Sequence, residues 1–288
     1  MFLVGILSDL HDWHSEQIDF FLKKNNCTAI KLNFDDMLLK FKDNKITFLN
    51  EKKISKFDAI WVRYINAGSL EEITTKLTIL HLIEKMKIYV HNSARVIEKT
   101  VDKIRTTGLL ELNEIKSPET FVCIGNNLKK LPTNKKYNYL LKPIFGSQGK
   151  DILLIKDPKK SMRMKAKGNV FYLQRFLKSK EKKFSDFRIL VSNHKIISAM
   201  ERKSEHFITN VFQGATIKKI LVKRELERIS IKVSKILDLG YGGIDIKLHR
   251  KTYYVIEVNG IPSWKGIQKI EKKNISEILV KDFLKKIL

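Results

Sequence analysis

Cysteine is almost absent from this chain, which has Cys27 and Cys123 in 288 residues. Two cysteines so far apart provide neither a disulfide framework nor the paired spacing of a structural zinc site. Disulfide-rich secreted domains and zinc-finger modules are therefore excluded. The simplest expectation is a reducing, cytoplasmic setting, where disulfides rarely persist.

Long apolar runs are also missing, because no segment approaches the roughly 18–20 apolar residues that a membrane-spanning helix needs. The N-terminus is apolar, but no basic stretch precedes it and the chain reaches Asp9 early. Residues 2–7 therefore predict a first buried strand and not a signal peptide. We expect no membrane partner.

Acidic residues are few, with 31 Asp and Glu against 56 Lys and Arg and a net charge of +25. Residues 1–90 hold 13 basic and 12 acidic residues, whereas residues 91–288 hold 43 and 19. A positive field in the later part would attract nucleotides, carboxylates, acidic proteins or nucleic acid. The alternative is a solvated surface, since abundant Lys, Ile and Asn are typical of A- and T-rich coding. Arginine, which bidentate base and phosphate recognition favours, is scarce, so nucleic-acid binding is the less favoured interpretation.

A glycine-rich dinucleotide fingerprint is absent after the first predicted strand, where residues 8–12 read Ser-Asp-Leu-His-Asp. Strand-like and helix-like segments nevertheless alternate along residues 1–90. This alternation predicts an open α/β sheet, so we define a first domain at 1–90. The predicted strands are 2–7, 28–32, 58–64 and 88–91, and the predicted helices are 15–24 and 70–85.

The later part of the chain predicts a mixture of strands and three helices. Apolar spacing indicates a helix at 97–112, with Val101, Ile104, Leu109 and Leu112 on its buried face, and a long helix at 216–239 that Gly240 ends. The last helix is predicted at 275–287. Predicted strands lie at 121–124, 137–144, 152–155, 170–177, 187–191 and 195–200, the last two joined by a turn at 192–194.

A glycine-containing loop joins two of these strands, at residues 145–150. Glycines let the backbone approach phosphate oxygens closely and expose its amide groups, which is typical of a flap over a ligand. An ordinary hairpin loop is the alternative. Lys142, at the mouth of the loop, favours the phosphate-binding interpretation.

Two short apolar runs near the C-terminus, 243–248 and 254–260, predict a hairpin centred near Lys251. Alternation along the strands puts Glu257 and Asn259 on one face, and the hairpin brings Asp245 opposite Glu257. Three hard oxygen donors of this kind suit Mg²⁺ or Mn²⁺ and not zinc. The alternative is an exposed polar hairpin face.

The order of these elements resembles the ATP-grasp superfamily, and specifically the RimK-like glutamate ligases, which include the ribosomal-protein glutamate ligase. The resemblance covers residues 90–288 closely and the first domain in architecture only. It implies an α/β fold with an N-terminal pre-ATP-grasp domain at 1–90, a central lobe with the flap at 91–171 and a C-terminal lobe with the metal site at 172–288. The motifs that carry it are Leu141-Lys142-Pro143 with residues 146–149, residues 173–177, Asp186-Phe187-Arg188, Glu201-Arg202 and residues 256–262.

The resemblance implies an enzyme that joins a carboxylate to an amine while splitting ATP into ADP and phosphate through an acyl phosphate. The expected substrates are glutamate or a related amino acid and a carboxylate-bearing acceptor, either a small molecule or an acidic protein. The expected cofactors are ATP and two Mg²⁺ ions, with Mn²⁺ as a substitute. Homodimers or homotetramers are common in the family.

Residue roles carried over from the family divide the candidate site into three groups. Lys103 and Lys142 resemble the lysines that hold the phosphates, and Arg202 and Asn210 resemble residues near the transferred phosphoryl and acyl groups. The nucleotide-binding set further includes the flap residues Ser147, Gln148 and Gly149, the adenine hinge Gln174, Arg175, Phe176 and Leu177, and the ribose anchor Asp186. The metal ligands are Asp245, Glu257 and Asn259.

Each of these residues also has a simpler structural interpretation. Lys103 could be a surface helix residue, and Asp186 with Arg188 could be an exposed strand pair. Arg202 could pair with Glu201 or with another acid.

Three positions depart from the family pattern. Arg175 stands where the family hinge has an acidic residue, so its side chain cannot accept the adenine amino group, although the backbone of Arg175 and Leu177 could. Ile208 and Gln213 stand where basic residues are expected. These departures keep a catalytically degenerate nucleotide-binding protein open as an alternative. The basic charge of residues 91–288 keeps a second alternative open, a basic nucleic-acid-binding protein.

Overall fold

The computed structural model describes residues 2–49, 54–125, 130–131, 133–134, 136–146, 149, 151–156, 169–178 and 183–287. The predicted flap residues Ser147 and Gln148 lie outside these ranges, as do Lys150 and the basic connector at 159–167.

The N-terminal part is an open parallel sheet with strand order β2-β1-β5-β6, as the alternating segments predict. Side chains cap the N-termini of two of its helices. Asp12 accepts hydrogen bonds from backbone amides in the first turn of α1, and Ser69 forms a capping box with Glu72 at the start of α2. The elements are β1 (Leu3–Ser8), α1 (Trp13–Lys24), β2 (Thr28–Leu32), β5 (Ala59–Tyr64), α2 (Leu70–Lys85) and β6 (Tyr89–His91).

A hairpin of β3 (Leu39–Lys42) and β4 (Lys45–Phe48) lies between β2 and β5, and the sequence analysis missed it. Its turn residues, Asp43 and Asn44, both have positive φ, which matches a two-residue type I′ connection. Phe41 in β3 is 66 % exposed, so the strand has little of the buried-face alternation by which strands are recognised.

The central lobe is a four-stranded antiparallel sheet with order β7-β10-β8-β9. The strands are β7 (Thr120–Ile124), β8 (Tyr139–Lys142), β9 (Leu153–Ile155) and β10 (Val170–Arg175). The boundary predicted between residues 171 and 172 lies inside β10. Because β10 pairs with both β7 and β8, we propose that residues 172–175 belong with the central lobe.

The C-terminal lobe is a five-stranded antiparallel sheet with order β13-β12-β11-β14-β15. Both predicted hairpins are confirmed, with turns at Asn193-His194 and Arg250-Lys251 whose residues have positive φ. The elements are β11 (Phe184–Ser192), β12 (Lys195–Ser204), β13 (Thr216–Lys219), α5 (Arg224–Leu237), β14 (Tyr241–His249), β15 (Thr252–Asn259), α6 (Lys265–Gln268) and α7 (Ile275–Ile287).

The single helix predicted at 97–112 is wrong, because the chain forms α3 (Ala94–Val101) and α4 (Lys103–Leu112) with a break at Asp102. Asp102 has an extended backbone, and its side chain accepts from the amides of Ile104 and Arg105 as the cap of α4. Val101 and Leu112, both predicted to be buried, are 36 % and 84 % exposed.

The helix predicted at 216–239 is also wrong at its N-terminal end, since residues 216–219 form β13 and pair with β12. The helix α5 begins only at Arg224. It ends at Asp238, whose φ of 60° places it in the left-handed region, so Gly240 is not the cap.

The first and last parts of the chain share one core. Helices α1 and α7 pack together, and a single apolar cluster combines Val4 and Ile6 of β1 with Leu190, Trp264 and Phe283. The side chain of Asn92 reinforces this junction by donating to the carbonyls of Tyr241 and Gly260 and accepting from the amides of Gly240 and Tyr241. The N-terminal sheet is thereby fixed beside the end of β15.

No helix within the described ranges is both long enough and apolar enough to cross a membrane.

Candidate active site

Lys142 ends β8 and projects from one face of the central sheet, together with Tyr172 and Gln174 of β10. It is 8 % exposed, and its Nζ donates to Gln174 Oε1 at 2.6 Å. A cation with so little solvent is costly unless anions or oxygen acceptors face it. Lys142 is therefore placed to receive an anionic ligand.

Helix α4 lies within the predicted central lobe at 91–171, but it packs against α5 and β15 of the C-terminal lobe. Its first residue, Lys103, approaches the same place from that side. Its Nζ lies 3.8 Å from Glu257 Oε1 and donates to Gly146 O at 3.0 Å, beside the glycine-containing loop. The interpretation of Lys103 as a surface helix residue is therefore wrong. The structure brings a helix, a loop and a hairpin together around this ammonium group.

The hairpin of β14 and β15 has the predicted register, with Asp245 directly opposite Glu257 and Asn259 opposite Gly243. Ile244 and Val258 face the apolar core, whereas Glu257 and Asn259 are half-buried on the other face. The predicted opposition of Asp245 and Glu257 is confirmed, but a bulge interrupts the alternation at Ile256, so that Val255 and Val258 face the core. The three predicted metal ligands share one face of the sheet.

Asp245 lies in a buried ion-pair cluster that the sequence did not reveal. Arg188 and Arg202 both reach its carboxylate, with Nη2 to Oδ2 distances of 2.9 Å and 3.0 Å. Arg202 also binds both oxygens of Asp186 at 2.7 Å, and Thr209 donates to Asp186 Oδ2 at 2.6 Å. The interpretation of Asp186 and Arg188 as an exposed strand pair is wrong, because Asp186 is 3 % exposed and each residue binds within the cluster.

The cluster sets the protonation state of its members. Burial opposes the charge of Asp245, but the guanidinium groups of Arg188 and Arg202 hold its pKa below the usual range. Burial likewise opposes the charge of Arg202, and the Asp245 and Asp186 carboxylates more than offset it, so the Arg202 pKa is raised. Asp245 and Arg202 are therefore both charged at neutral pH. The predicted ribose contact of Asp186 stays a prediction, and a ribose hydroxyl would share the carboxylate with Arg202 and Thr209.

The pKa of Lys142 leads to a testable pH dependence. Burial, assisted by the nearby Lys103 charge, lowers this pKa to about 8, against the opposing effect of Glu257 and Asp245. Only the charged ammonium attracts phosphate, so we expect kcat/KM for ATP to fall above about pH 8, approaching tenfold per pH unit. This fall in kcat/KM, the alkaline limb of the pH profile, is measured on the wild type between about pH 6 and pH 10.

The matched control for this pH dependence is Lys142→Arg, which keeps the charge across the whole range. In this variant kcat/KM for ATP is expected not to fall at alkaline pH, even if the affinity for ATP is lower than in the wild type. An identical limb in both proteins would mean that another group causes it.

Gly149 of the loop lies directly over the segment that follows β12. Its φ is +70°, and a Cβ built there would lie 2.7 Å from Ile208 Cγ2 and 3.1 Å from Asn210 Nδ2, with Gln213 Nε2 at 3.5 Å. Only glycine fits such an approach. Gly149 thus lies against Asn210 and against Ile208 and Gln213, two of the three residues that depart from the family pattern.

Arg175 does not point towards Lys142. It shares the opposite face of the central sheet with Tyr139, and its guanidinium stacks over the Tyr137 ring at 3.5 Å from the centroid. Its backbone N–H donates to Glu119 O at 2.7 Å, so this group is already used. The substitution at Arg175 therefore lies on the face that carries the apolar cluster of Tyr139, Leu141 and Leu173, and leaves the Gln174 face unchanged. The hinge roles of Phe176 and Leu177 remain predictions.

Sequence reasoning missed four contributors: Arg188 and Thr209 in the ion-pair cluster, and Tyr172 and Thr107 beside Gln174. Tyr172 precedes Gln174 by two residues on one strand, so period-2 alternation was a usable signal for it. Thr107 and Thr209 gave no such signal, because their contacts cross between elements far apart in sequence.

The donor set fits a hard divalent cation. Within the described ranges no three His, Cys, Asp or Glu side chains form a metal cluster, and the predicted set has two carboxylates and one amide. The Glu257 side chain is 33 % exposed and Asn259 is half-buried, so both remain accessible, whereas Asp245 would share its oxygens with two arginines. Oxygen donors that leave room for water and phosphate are typical of Mg²⁺ sites beside nucleotides.

Comparisons of the sequence with a family model and with curated proteins agree with one another. The family described as RimK-like ATP-grasp domain matches residues 100–283. A tetrahydromethanopterin:alpha-L-glutamate ligase of Methanococcus maripaludis is 28 % identical over 98 % of this chain and 97 % of its own length. A coenzyme gamma-F420-2:alpha-L-glutamate ligase of the same organism is 30 % identical over 70 % of this chain and 74 % of its own.

The fold comparison covers the whole chain. One similar structure is that of a RiPP-associated ATP-grasp ligase of Chryseobacterium gregarium, in complex with ADP and a leader and core peptide. It superposes with a TM-score of 0.72 at 16 % sequence identity, and the superposition covers 99 % of this chain and 97 % of that chain. At that identity the likeness shows the fold alone. Together with the family match and the loop, lysines and hairpin described above, it shows that this chain belongs to the RimK-like ATP-grasp family and is an ATP- and Mg²⁺-dependent carboxylate–amine ligase.

Proposed function

We propose that this protein joins the amine of L-glutamate to a carboxylate of a small-molecule acceptor of the pterin or deazaflavin cofactor type. The support is the relative named tetrahydromethanopterin:alpha-L-glutamate ligase, which aligns with nearly the full length of both chains. A second relative of the same reaction type is named for coenzyme F420. An acidic protein tail is the other acceptor class that the basic later part of the chain would attract.

The observation that carries the ligase chemistry is the meeting of Lys103, Lys142 and Glu257 from three separate elements. A carboxylate that attacks the γ-phosphate of ATP is an anion approaching an anion, so positive charge must neutralise both groups. Lys103 lies against Gly146, and Lys142 is buried at the end of the strand that leads into the same loop. In this proposal both ammonium groups bind phosphate oxygens.

The reaction has two steps. A carboxylate oxygen of the acceptor attacks the γ-phosphorus, the bond to the bridging oxygen breaks, and ADP leaves. The glutamate amine then attacks the acyl carbon and loses its proton, and phosphate departs with the oxygen that came from the acceptor. An acyl phosphate hydrolyses readily. The loop over Ile208 and Asn210 therefore has to exclude water for as long as the acyl phosphate is present.

The metal site extends the proposal to two ions, with Asp245, Glu257 and Asn259 as their protein ligands. Mg²⁺ is the expected ion, and Mn²⁺, which takes the same oxygen donors, is expected to replace it. When bound, the ions neutralise phosphate charge. The neighbouring residues prepare Asp245 to act as a ligand, because Arg202 and Arg188 hold its carboxylate in the charged form and fix its orientation.

In the proposed nucleotide site Gln174 aligns Lys142, while Gly149 and its neighbours Ser147 and Gln148 cover the phosphates. Arg202 and Asn210 lie near the transferred phosphoryl and acyl groups in the family pattern. Asn210 supports this placement because it lies beneath Gly149. The uncharged Ile208 and Gln213 beside it are the positions where we expect substrate recognition to differ from the family.

A second candidate function is a nucleotide-binding protein without catalysis. The replacement of expected basic residues by Ile208 and Gln213, under the loop, favours it. Both candidates predict nucleotide binding, so they differ only in turnover.

The decisive assay incubates the purified protein with ATP, Mg²⁺, L-glutamate and one acceptor at a time. The acceptors are tetrahydromethanopterin, coenzyme F420-2 and a peptide with an acidic C-terminal tail. ADP and phosphate are measured together with the product mass. We expect glutamate-dependent ADP formation, and an acceptor heavier by one glutamyl residue, with one of the two cofactors.

Each other outcome points elsewhere. Modification of the peptide alone would replace the cofactor acceptor by a protein. Nucleotide binding without turnover on any acceptor or amino acid would favour the non-catalytic candidate. Tight, salt-dependent oligonucleotide binding without ligase activity would favour the nucleic-acid alternative.

A further inference from the structure

A continuous row of hydrogen bonds runs from Lys142 to helix α4. Lys142 Nζ donates to Gln174 Oε1 at 2.6 Å, and Gln174 Nε2 donates to the Tyr172 hydroxyl at 3.1 Å. The Tyr172 hydroxyl lies 2.7 Å from Thr107 Oγ1 on α4. Gln174 Nε2 also donates to Thr120 Oγ1 at 3.4 Å.

The chemistry of these groups fixes the direction of the row. An ammonium group only donates, so the carbonyl oxygen of Gln174 must face Lys142 and its amide nitrogen must face Tyr172. The Tyr172 hydroxyl accepts from that nitrogen and forms its second hydrogen bond with Thr107, in which either hydroxyl can donate. Reversing the Gln174 amide would bring two donors together at Lys142.

The row is sealed from water over most of its length. Gln174 and Tyr172 are each 2 % exposed, and Lys142 is 8 % exposed. A buried donor that loses its partner is not rescued by solvent, so the members of such a row depend on one another.

We propose that Tyr172 and Thr107 are positioning residues for nucleotide binding, which act through Gln174 to hold the Lys142 ammonium group in fixed relation to α4. Lys103 begins that helix, and Thr107 lies four residues later on the same side of it. The row therefore ties together two lysines that come from separate elements. The inference rests on the proposed role of Lys103 and Lys142 in binding the nucleotide phosphates.

The two lysines must be spaced to match a polyphosphate, and neither element alone sets that spacing. With the row intact, a phosphate meets two preorganised cations. Without the Tyr172 hydroxyl, Gln174 Nε2 keeps only its longer hydrogen bond to Thr120 Oγ1, so the Gln174 carbonyl is held less firmly against Lys142. Nucleotide affinity then falls although both lysines remain.

The test measures the Kd of ADP in the presence of Mg²⁺ by titration calorimetry, which requires no acceptor and no turnover. Tyr172→Phe retains the ring and removes the hydroxyl, and we expect the Kd to rise about tenfold, which is about 1.4 kcal/mol. Thr107→Val is expected to give a similar rise, and Thr107→Ser, which keeps the hydroxyl, is expected to bind as the wild type does. The double variant Tyr172→Phe/Thr107→Val should be no weaker than either single variant, because both break one row.

Tyr253→Phe is the matched control, because Tyr253 is also buried but lies on β15 against Phe187. Its Kd should equal that of the wild type. A further readout separates positioning from packing: in Tyr172→Phe, ADP affinity should begin to fall at lower pH than in the wild type. The charged groups around Lys142, namely Lys103, Glu257 and Asp245, are the same in both proteins.

Equal Kd values for the wild type, Tyr172→Phe and Thr107→Val would overturn the inference and leave the nucleotide site intact. Additive losses in the double variant would also overturn it, since independent contacts add. A wild type that binds no ADP would contradict the proposed nucleotide site, and the positioning role with it.

Discussion

Replacing Glu257 with Gln is expected to lower kcat by about 10²–10³-fold or more, with little change in stability. The carboxylate is one-third exposed, and its contact with Lys103 is a long ion pair of 3.8 Å, so its loss removes about 1 kcal/mol or less of folding free energy. Glutamine has the same shape but no charge, which weakens the binding of a divalent ion and leaves Lys103 without its carboxylate. Steady-state kinetics at saturating Mg²⁺ and thermal unfolding measure the two effects separately.

Glu201→Gln is the control for this substitution, since Glu201 lies on β12, which β11 and β14 separate from β15 in the same sheet, and pairs with Lys203. It makes the same chemical change away from the predicted metal ligands and should leave kcat unchanged. Full activity in Glu257→Gln would show that the hairpin is not the metal site.

Arg202→Met is expected to destabilise the protein by about 3–5 kcal/mol and to abolish turnover. The guanidinium bridges two carboxylates, Asp186 and Asp245, which are each 3 % exposed. Methionine fills similar space but leaves Asp186 with Thr209 and Asp245 with Arg188 as their remaining partners. Urea denaturation measures the loss of stability, and the ligase assay measures the loss of activity.

The pH dependence of this loss has a definite sign. The arginines hold the pKa of Asp245 below its usual value, so their contribution is present above the normal carboxyl range and is lost as pH falls through the lowered pKa. The stability difference between wild type and variant should therefore narrow in acid. Lys203→Met, which removes a half-exposed cation next in sequence, should cost about 1 kcal/mol or less. Equal losses in both variants would contradict the buried bridge.

The features that sequence predicted best depend on local alternation. The hairpin of β14 and β15 has a buried face of Ile244 and Val258, and period 2 then forces Glu257 and Asn259 to the other side. The register set by the turn at Arg250-Lys251 would by itself place Asp245 opposite Ile256, and a bulge at that residue brings Glu257 opposite Asp245 instead. Lys142 was identifiable because it precedes a glycine-containing loop at the end of a strong strand.

The predictions that were wrong concern places where competing structural signals lie within a few residues of one another in the sequence. Apolar spacing continues through Asp102, but its side chain caps a new helix and ends the old one, which places Lys103 in the first turn. Residues 216–219 fit a helical pattern as well as a strand, and the free edge of β12 decides in favour of a strand. Which face of β10 meets the site, and the joining of Asp186, Arg202 and Asp245, depend on tertiary packing that sequence alone does not supply.

The measurement that tests the ligase chemistry most directly is oxygen transfer from the acceptor to phosphate. The acceptor is prepared with ¹⁸O in its carboxylate and incubated with the protein, ATP, Mg²⁺ and L-glutamate, and the released phosphate is analysed by mass. Activation of the acceptor carboxylate as an acyl phosphate predicts one acceptor-derived oxygen in each phosphate, formed together with ADP and the glutamylated product. Product formation with unlabelled phosphate, or with AMP and pyrophosphate, would contradict this mechanism.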